Sequence, residues 1–224
     1  MRIVLASASP RRKELLTGLG VPFLVFPSGV AEGDADDVPP EQAAHHALAL
    51  ARRKAEDVAR RLGRGELCVP GGERFLVVAA DTLVVLPDRV LGKPSSPAKA
   101  REMLRALAGR EHLVVTGVVV LDPGTGRSEG VTEETRVFFR PLSEADIAAY
   151  VATGEPADKA GAYAVQGVGA LLVERIEGDY FNVVGLPLGC LARLCGRFGL
   201  DLLAEAARRA ARGGTRRERS CPAQ

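Results

Sequence analysis

An aspartate directly after a buried strand is the strongest chemical signal in this 224-residue sequence. Residues 75–80 are apolar, and Asp81 and Thr82 follow them before a second apolar run at residues 83–86. A carboxylate at the end of a buried strand costs free energy unless a cation or another partner binds it. Strand ends also form the clefts of open sheets. Asp81 is therefore a candidate acid–base or metal-binding residue, and the alternative is an acid that turns the chain or pairs with a lysine.

The beginning of the chain combines anion-binding side chains with the start of a helix. A short apolar run, residues 2–6, is followed by a Ser-Ala-Ser-Pro-Arg-Arg segment at residues 7–12. Ser9 is a suitable N-cap, and Pro10 suits the first helical position. The free N–H groups of a helix start attract anions, and hydroxyl and guanidinium groups donate well to phosphate. The segment predicts a phosphate site, or else a capped surface helix with solvated arginines.

Two lysines and a glycine-containing segment complete the set of candidates. Lys54 lies in a long Ala-rich helix predicted over residues 41–62, and Lys93 lies in a Gly-Lys-Pro break; either alone is usually a solvated surface lysine. The glycines of residues 158–167 allow the backbone to approach a ligand. Gln166 in that segment can both donate to and accept from a base edge, and the alternative is a structural turn leading into a strand. The sequence lacks a P-loop lysine motif and a dinucleotide fingerprint.

Composition and charge argue against several functional classes. The formal net charge is +2, and 46% of the residues are hydrophobic and 26% charged, which is ordinary for a globular protein. Many of the arginines lie in the last stretch of the chain, so binding of nucleic acid is not predicted. No window approaches about 18 uninterrupted apolar residues, and the N-terminus lacks the apolar core of a signal peptide. We therefore expect a cytoplasmic protein with no membrane partner.

Histidine and cysteine do not account for a metal site. The four cysteines show no CxxC spacing. His45 and His46 are adjacent, so on a helix their side chains diverge by about 100° and cannot share an ion, and His112 stands alone. Any metal must be held by carboxylates, which favours Mg²⁺ or Mn²⁺ over Zn²⁺.

The order of the predicted elements indicates an α/β fold with a mixed sheet. Strands and helices alternate, but residues 113–121 and 131–139 flank a Pro-Gly-Thr-Gly turn and are predicted to form a hairpin. A last hairpin is predicted from residues 171–176 and 180–184. Hairpins within alternating strands and helices favour a mixed sheet over a purely parallel one. Residues 213–224 contain many arginines and almost no apolar side chains, which predicts a disordered tail.

Taken together, these segments resemble the Maf family of nucleotide pyrophosphatases. One such match would carry little weight, whereas a series of matches in the same order between residues 2 and 200 is specific. The matching stretches are residues 5–16, 79–82, 92–94, 112–117, 154–156, 158–167 and 183–187.

The resemblance implies a two-lobed α/β fold over residues 1–203, with an extended mixed sheet, flanking helices and a central cleft. It also implies hydrolysis of dTTP and UTP to the monophosphate and pyrophosphate, a divalent metal cofactor (Mg²⁺ or Mn²⁺) and a homodimer. The alternative function is a nucleotide-binding regulator of septum formation that acts through partner contacts.

Site roles follow from the resemblance one residue at a time. Asp81 matches the family's proton acceptor, and Glu32 matches an additional acidic residue that shares the metal. The remaining matches are the specificity positions Arg11, Thr82 and Gln166, and the phosphate-binding positions Ser7, Arg12, Lys54 and Lys93.

Overall fold

The computed structural model describes residues 1–69 and 74–217, with side chains described up to residue 211. The strands of the described part are β1 (Arg2–Leu5), β2 (Phe23–Val25), β3 (Phe75–Leu86), β4 (Arg89–Leu91), β5 (Glu111–Leu121), β6 (Ser128–Phe139) and β7 (Val173–Glu177). Its α-helices are α1 (Pro10–Gly18), α2 (Ala43–Gly63), α3 (Pro97–Leu107), α4 (Glu144–Ala152), α5 (Tyr180–Val184), α6 (Leu188–Arg197) and α7 (Leu202–Arg217).

All the strands form one mixed sheet. The spatial order is β2-β1-β3-β5-β6-β7, and β4 pairs with the far end of β3. β1 is parallel to both β2 and β3, whereas β3 is antiparallel to β5, and β5 and β6 form the predicted hairpin. The prediction of an α/β fold with a mixed sheet is confirmed.

The third strand has a gap along one edge. β1 pairs with it as far as Val78, and β4 pairs with it from Val84 onward. In the described part of the chain, residues 79–83 have a strand neighbour only on the β5 side. The sequence placed Asp81 at the end of a strand, but β3 continues without interruption through this residue. It is β1 that ends, and its end opens the cleft.

The sheet carries different layers on its two faces. Helix α2 covers one face, where Ala47, Ala51 and Ala55 pack on the strands. The other face carries two separate apolar clusters, one with α1, α6 and α7 and the other with α3 and α4. Along β3, Val78 belongs to the first cluster and Val84 to the second, so Thr82 lies near the junction between them. The predicted two-lobed arrangement is confirmed.

Gly117 determines how closely α2 approaches the sheet. This residue on β5 is paired with Asp81 on β3. A Cβ at Gly117 would lie 2.5 Å from the backbone N and Cα of Leu48 in α2, which is closer than van der Waals contact allows. The absence of a side chain therefore lets the helix backbone lie directly on the strand, at the level of Asp81.

The second predicted hairpin is wrong. β7 pairs with β6, not with the segment that follows it, and Tyr180–Val184 forms helix α5. Asp179 caps this helix by accepting hydrogen bonds from the backbone N–H groups of Phe181 and Asn182. A local N-cap thus outweighs the strand preference of the aromatic and β-branched residues.

Three other expectations stay predictions. Helix α7 extends to Arg217 and residues 218–224 lie outside the described residues, so disorder of the tail is undecided. The homodimer and the cytoplasmic location are likewise predictions. Within the described ranges, none of the helices has the length and apolar character needed to cross a membrane.

A buried histidine makes stability depend on pH. His112 on β5 is 3% exposed, its Nε2 lies 2.8 Å from the hydroxyl of Tyr163, and its ring packs edge-on against Phe139. Burial lowers the pKa of His112 from its ordinary value of 6.5 to about 3. The unfolded chain therefore takes up a proton in a pH range where the folded protein does not, and this contribution to stability is lost as pH falls from 6.5 towards 3.

We expect His112→Gln to flatten this pH dependence. Between pH 7 and 5 the parent protein should lose more unfolding free energy than the variant, with a difference in slope of up to about 1.4 kcal/mol per pH unit. Urea unfolding at several pH values measures both slopes. His45→Gln, at an exposed position, is the control and should retain the parent's slope. Equal slopes for the parent and His112→Gln would contradict the prediction.

Candidate active site

A cavity of about 700 Å³ opens at the free edge of β3 and receives side chains from both faces of the sheet. Successive residues of a strand point to opposite faces, so Asp81 faces α2 whereas Thr82 faces the two-cluster layer. The residues that line the cavity on the α2 side are Glu32, Gly33, Asp34, Ala35, His46, Leu50, Asp81, Leu83 and Lys93.

An acid–lysine cluster, formed by Glu32, Lys54, Asp81 and Lys93, lies on the α2 side. The Nζ of Lys54 donates to Asp81 Oδ1 and to Glu32 Oε1, each at 2.7 Å. The Nζ of Lys93 donates to Glu32 Oε2 at 2.6 Å. Two carboxylates and two ammonium groups balance in charge, which makes burial of Lys54 and Asp81 tolerable. Lys54 is 6% exposed. It is therefore not a solvated surface lysine, which was the alternative interpretation of the sequence.

The electrostatics of the cluster keep Glu32 ionised. Burial alone would raise the pKa of this half-buried carboxyl group, but hydrogen bonds from Lys54 and Lys93 outweigh burial and hold the pKa at about 2. Glu32 therefore carries its negative charge throughout the neutral range. It anchors both lysines, which lie far apart in sequence.

Contacts with neighbouring elements place the loop that carries Glu32. At its beginning, Asp57 of α2 accepts hydrogen bonds from Ser28 Oγ and Gly29 N. Further along, Ala35 packs so tightly on Gly92 that a Cβ at Gly92 would lie 2.7 Å from that of Ala35. The loop is thus held between α2 and the Gly-Lys-Pro break, which brings Glu32 to Lys93.

An Arg12 network, formed by Ser7, Arg12, Thr82 and Gly185, lies on the opposite side of the cavity. Arg12 donates from Nε to Gly185 O at 2.7 Å, from Nη1 to Ser7 Oγ at 3.1 Å and from Nη2 to Thr82 Oγ1 at 3.1 Å. Burial lowers the pKa of Arg12, while Asp81 and Glu32 raise it. Arg12 therefore joins α1, β3 and the turn after α5, and its remaining N–H groups are available to a ligand.

Two buried polar residues that sequence reasoning missed support Thr82. Thr116 Oγ1 lies 2.9 Å from Thr82 Oγ1 and donates to the backbone O of Asn182 at 3.4 Å. Asn182 donates from Nδ2 to Val114 O at 2.9 Å and to Thr135 Oγ1 at 3.0 Å. Both residues are fully buried. The signal in the sequence was a polar residue within an apolar run, at Thr116 on β5 and at Asn182 before two valines.

Arg11 reaches the cavity with part of its guanidinium group unpaired. It lines the cavity beside Asp158 and Ala160. Its Nε is buried and has no hydrogen-bond partner among the residues that the structure describes. Because a buried donor without a partner is costly, this group is suited to an incoming acceptor.

Gln166 is the one predicted site residue that lies apart from the others. Asp158, Ala160 and Tyr163 line the cavity, but Gln166 does not. Lys54 does not line the cavity either, but it belongs to the site because it donates a hydrogen bond to Asp81, which does. The segment 158–167 thus reaches the cavity with its first half only.

A carboxylate fixes the loop that carries Gln166. Glu155 accepts hydrogen bonds from Tyr150 OH at 2.9 Å, Val168 N at 3.0 Å and Gly169 N at 3.1 Å. Sequence reasoning gave Glu155 no role, although it lies in one of the family-like stretches. The glycines here allow close packing, because a Cβ at Gly169 would clash with the backbone O of Ala164 and a Cβ at Gly167 would lie 2.7 Å from Glu155 Oε2.

The carboxylates of the site can share a cation. Across the described ranges, no group of three or more His, Cys, Asp or Glu side chains is arranged to hold a metal ion. Asp81 and Glu32 nevertheless converge on the same ammonium group. Mg²⁺ is commonly bound by one or two carboxylates together with substrate phosphates, so this donor set fits a metal that arrives with an anionic substrate.

Comparisons with known proteins show the family to which the chain belongs. The family description "Maf-like protein" matches residues 2–198. The chain is 53% identical to a dTTP/UTP pyrophosphatase of Moorella thermoacetica, covering 90% of this chain and 97% of that protein. It is 47% identical to one of Acetivibrio thermocellus, covering 91% and 98%, and 46% identical to one of Methanosarcina mazei, covering 91% and 98%.

A solved structure shows a weaker likeness. It is a nucleoside-triphosphatase / dITP/XTP pyrophosphatase from Mycobacterium abscessus, 15% identical, with a TM-score of 0.36, covering 63% of this chain and 76% of that chain. This likeness is too low to support any argument. The assignment depends on the sequence relatives, which span almost the whole chain, and the chain therefore belongs to the Maf-like protein family.

Proposed function

We propose that this protein hydrolyses nucleoside triphosphates, dTTP and UTP in particular, to the monophosphate and pyrophosphate. The observation that carries the proposal is the acid–lysine cluster at the free edge of β3, where a buried Asp81 lies between a lysine and a large cavity. Relatives named dTTP/UTP pyrophosphatase, at 43–53% identity, support the substrate class.

The opposite orientation of Asp81 and Thr82 suggests how a nucleotide lies in the cavity. The acid–lysine cluster provides cations for phosphate, whereas the other side adds apolar surface from Val114, Val183 and Val184 to the Arg12 network. Small-molecule sites usually pair apolar walls with a few polar groups. The nucleoside therefore belongs on the Thr82 side, the α-phosphate at the edge of β3, and the pyrophosphate on the α2 side.

Asp81 is the proposed acceptor of the proton of an attacking water. Its Oδ1 binds Lys54, while its Oδ2 has no hydrogen-bond partner in the described residues and adjoins the cavity. Water attacks the α-phosphorus, its proton passes to Asp81, and the bond from the α-phosphorus to the bridging oxygen breaks. Lys54 and Lys93 neutralise the charge that develops on the departing pyrophosphate.

A divalent cation is part of the proposal. Asp81 and Glu32 would hold it together with phosphate oxygens, because both carboxylates are negatively charged and both contact the same ammonium group. When bound, Mg²⁺ or Mn²⁺ supplies further stabilisation of negative charge on the triphosphate. The two carboxylates, already bridged by Lys54, would then exchange part of their contact with ammonium for contact with the metal.

A substrate panel tests the proposed activity. Purified protein is incubated with UTP, dTTP, GTP or 7-methyl-GTP, with Mg²⁺, with Mn²⁺ or with a chelator, and pyrophosphate and monophosphate are quantified. We expect release of pyrophosphate from UTP and dTTP in the presence of metal, and none with the chelator. Release of orthophosphate, or preference for 7-methyl-GTP, would refute the assignment. Absence of any turnover is what the alternative, a regulator without catalysis, requires.

Base selection is expected to depend in part on Gln166. Gln166 does not line the cavity, so its role in base selection depends on the family resemblance alone. If Gln166 contacts the base, Gln166→Glu should lower the ratio of kcat/KM for UTP over GTP by roughly tenfold to a hundredfold, because a buried polar group without a partner costs about 1–3 kcal/mol. Gln42→Glu makes the same change at an exposed position and serves as the control. Equal loss on both substrates would assign base selection to Arg11 and Thr82, which line the cavity.

A further inference from the structure

We infer that His46 binds the pyrophosphate portion of the substrate and holds it as the leaving group. This inference depends on the proposed function, because it concerns the same cavity. His46 lies in the first turn of α2 and lines the cavity, and the residues that the structure describes give its ring no hydrogen-bond partner. The matched family positions include no role for it.

The helix places His46 on the same side as Lys54. Residues four apart on a helix lie one above the other, so His46, Leu50 and Lys54 form one line, and the first two line the cavity while the third reaches Asp81. The Cα atoms of His46 and Lys54 are separated by about 12 Å along the axis.

The chemistry of this side of the cavity calls for a donor. Glu32 and Asp34 line it as acceptors, and the carboxylate of Asp34 already accepts from Asp36 N. In the described ranges, the side chains that line the α2 side and can donate are Lys93 and His46. Pyrophosphate oxygens only accept. Imidazole has at least one N–H in either protonation state, so His46 complements the group placed there.

The position also separates His46 from the nucleoside. Thr82 faces the other side of the sheet, where it contacts Arg12 and Thr116. On the α2 side, Leu83 and Ala35 line the cavity together with Asp81 and His46. His46 should therefore influence binding of pyrophosphate and leave binding of the monophosphate unchanged.

Product inhibition tests this separation. For the parent, His46→Ala, His46→Gln and the control His45→Ala, kcat and KM for UTP are measured together with the inhibition constants of pyrophosphate and of UMP. Circular dichroism and melting curves verify that each variant is folded. His45 is the matched control, because it is an exposed neighbour on the same helix.

We expect His46→Ala to raise the inhibition constant of pyrophosphate and the KM for UTP by about tenfold or more, since a lost hydrogen bond to a charged group weakens binding by at least about an order of magnitude. The inhibition constant of UMP should not change. His46→Gln, which retains a donor, should recover part of the loss, and His45→Ala should match the parent.

An unchanged inhibition constant of pyrophosphate in His46→Ala would overturn the inference. A change in the inhibition constant of UMP alone would also overturn it. Failure of the parent to hydrolyse UTP would instead refute the proposed function and would be seen before any variant is compared. In that case calorimetric titration of pyrophosphate into the parent and His46→Ala still decides whether His46 binds it.

Discussion

Asp81→Asn is expected to reduce kcat for UTP by about 10²–10⁴-fold, the usual cost of losing a general base. Asparagine has the shape of aspartate but cannot take up the proton of water. The substitution also removes the negative charge that Lys54 contacts at 2.7 Å, so the lysine is left with Glu32 as its anionic partner. Single-turnover and steady-state release of pyrophosphate measure the effect.

A second buried aspartate provides the control for this experiment. Asp122 is 1% exposed and its Oδ2 accepts from Arg74 Nη2 at 2.6 Å, outside the cavity. Asp122→Asn should lower stability and leave kcat unchanged. Asp81→Asn should lower kcat and should still fold, because Lys54 keeps its contact with Glu32. Near-normal turnover by a folded Asp81→Asn protein would remove Asp81 from the proposed role.

Gly117→Ala is expected to cause the second large effect, on stability and activity together. The new methyl group would meet the backbone of Leu48 at 2.5 Å, and overpacking typically costs about 1–3 kcal/mol. The backbone of α2 must shift to relieve the contact, and Lys54 shifts with it. We therefore expect a lower urea midpoint and a fall in kcat/KM.

The sign of the stability change makes this prediction specific. Within a strand, replacing glycine by alanine would otherwise stabilise by roughly 0.5–1 kcal/mol, because glycine loses more backbone entropy on folding. Gly196→Ala is the control, since a Cβ there would meet nothing within 4 Å. A urea midpoint of Gly117→Ala equal to or above that of the parent would contradict the prediction, because it would mean that α2 and β5 accommodate the added methyl group without cost.

Short-range signals explain why much of the fold was predictable. Ser143 and Asp146 form the capping box of α4, and Ser96 caps α3 by accepting from Lys99 N. These interactions join residues three positions apart, so both partners can be recognised within one short stretch of sequence. Helix α5 shows the limit of the approach, because its apolar residues are compatible with a strand and the cap at Asp179 decides the outcome.

The arrangement of the site was less accessible to sequence reasoning. Residue types indicated anion and metal binding, but the partners of Lys54 lie 22 and 27 residues away along the chain. Thr116 contacts Thr82 across 34 residues. Such pairs depend on the register of β3 with β5 and on the depth at which α2 packs, and neither quantity is encoded in local spacing.

The gap along β3 also bears on self-association. An uncovered strand edge is normally a template on which another chain can add a strand and begin to aggregate. Here β1 and β4 flank the uncovered stretch, residues 79–83, at its two ends. An added strand would meet β1 at one end and β4 at the other, whereas Asp81 and Thr82 within the stretch line a cavity that can admit a small ligand.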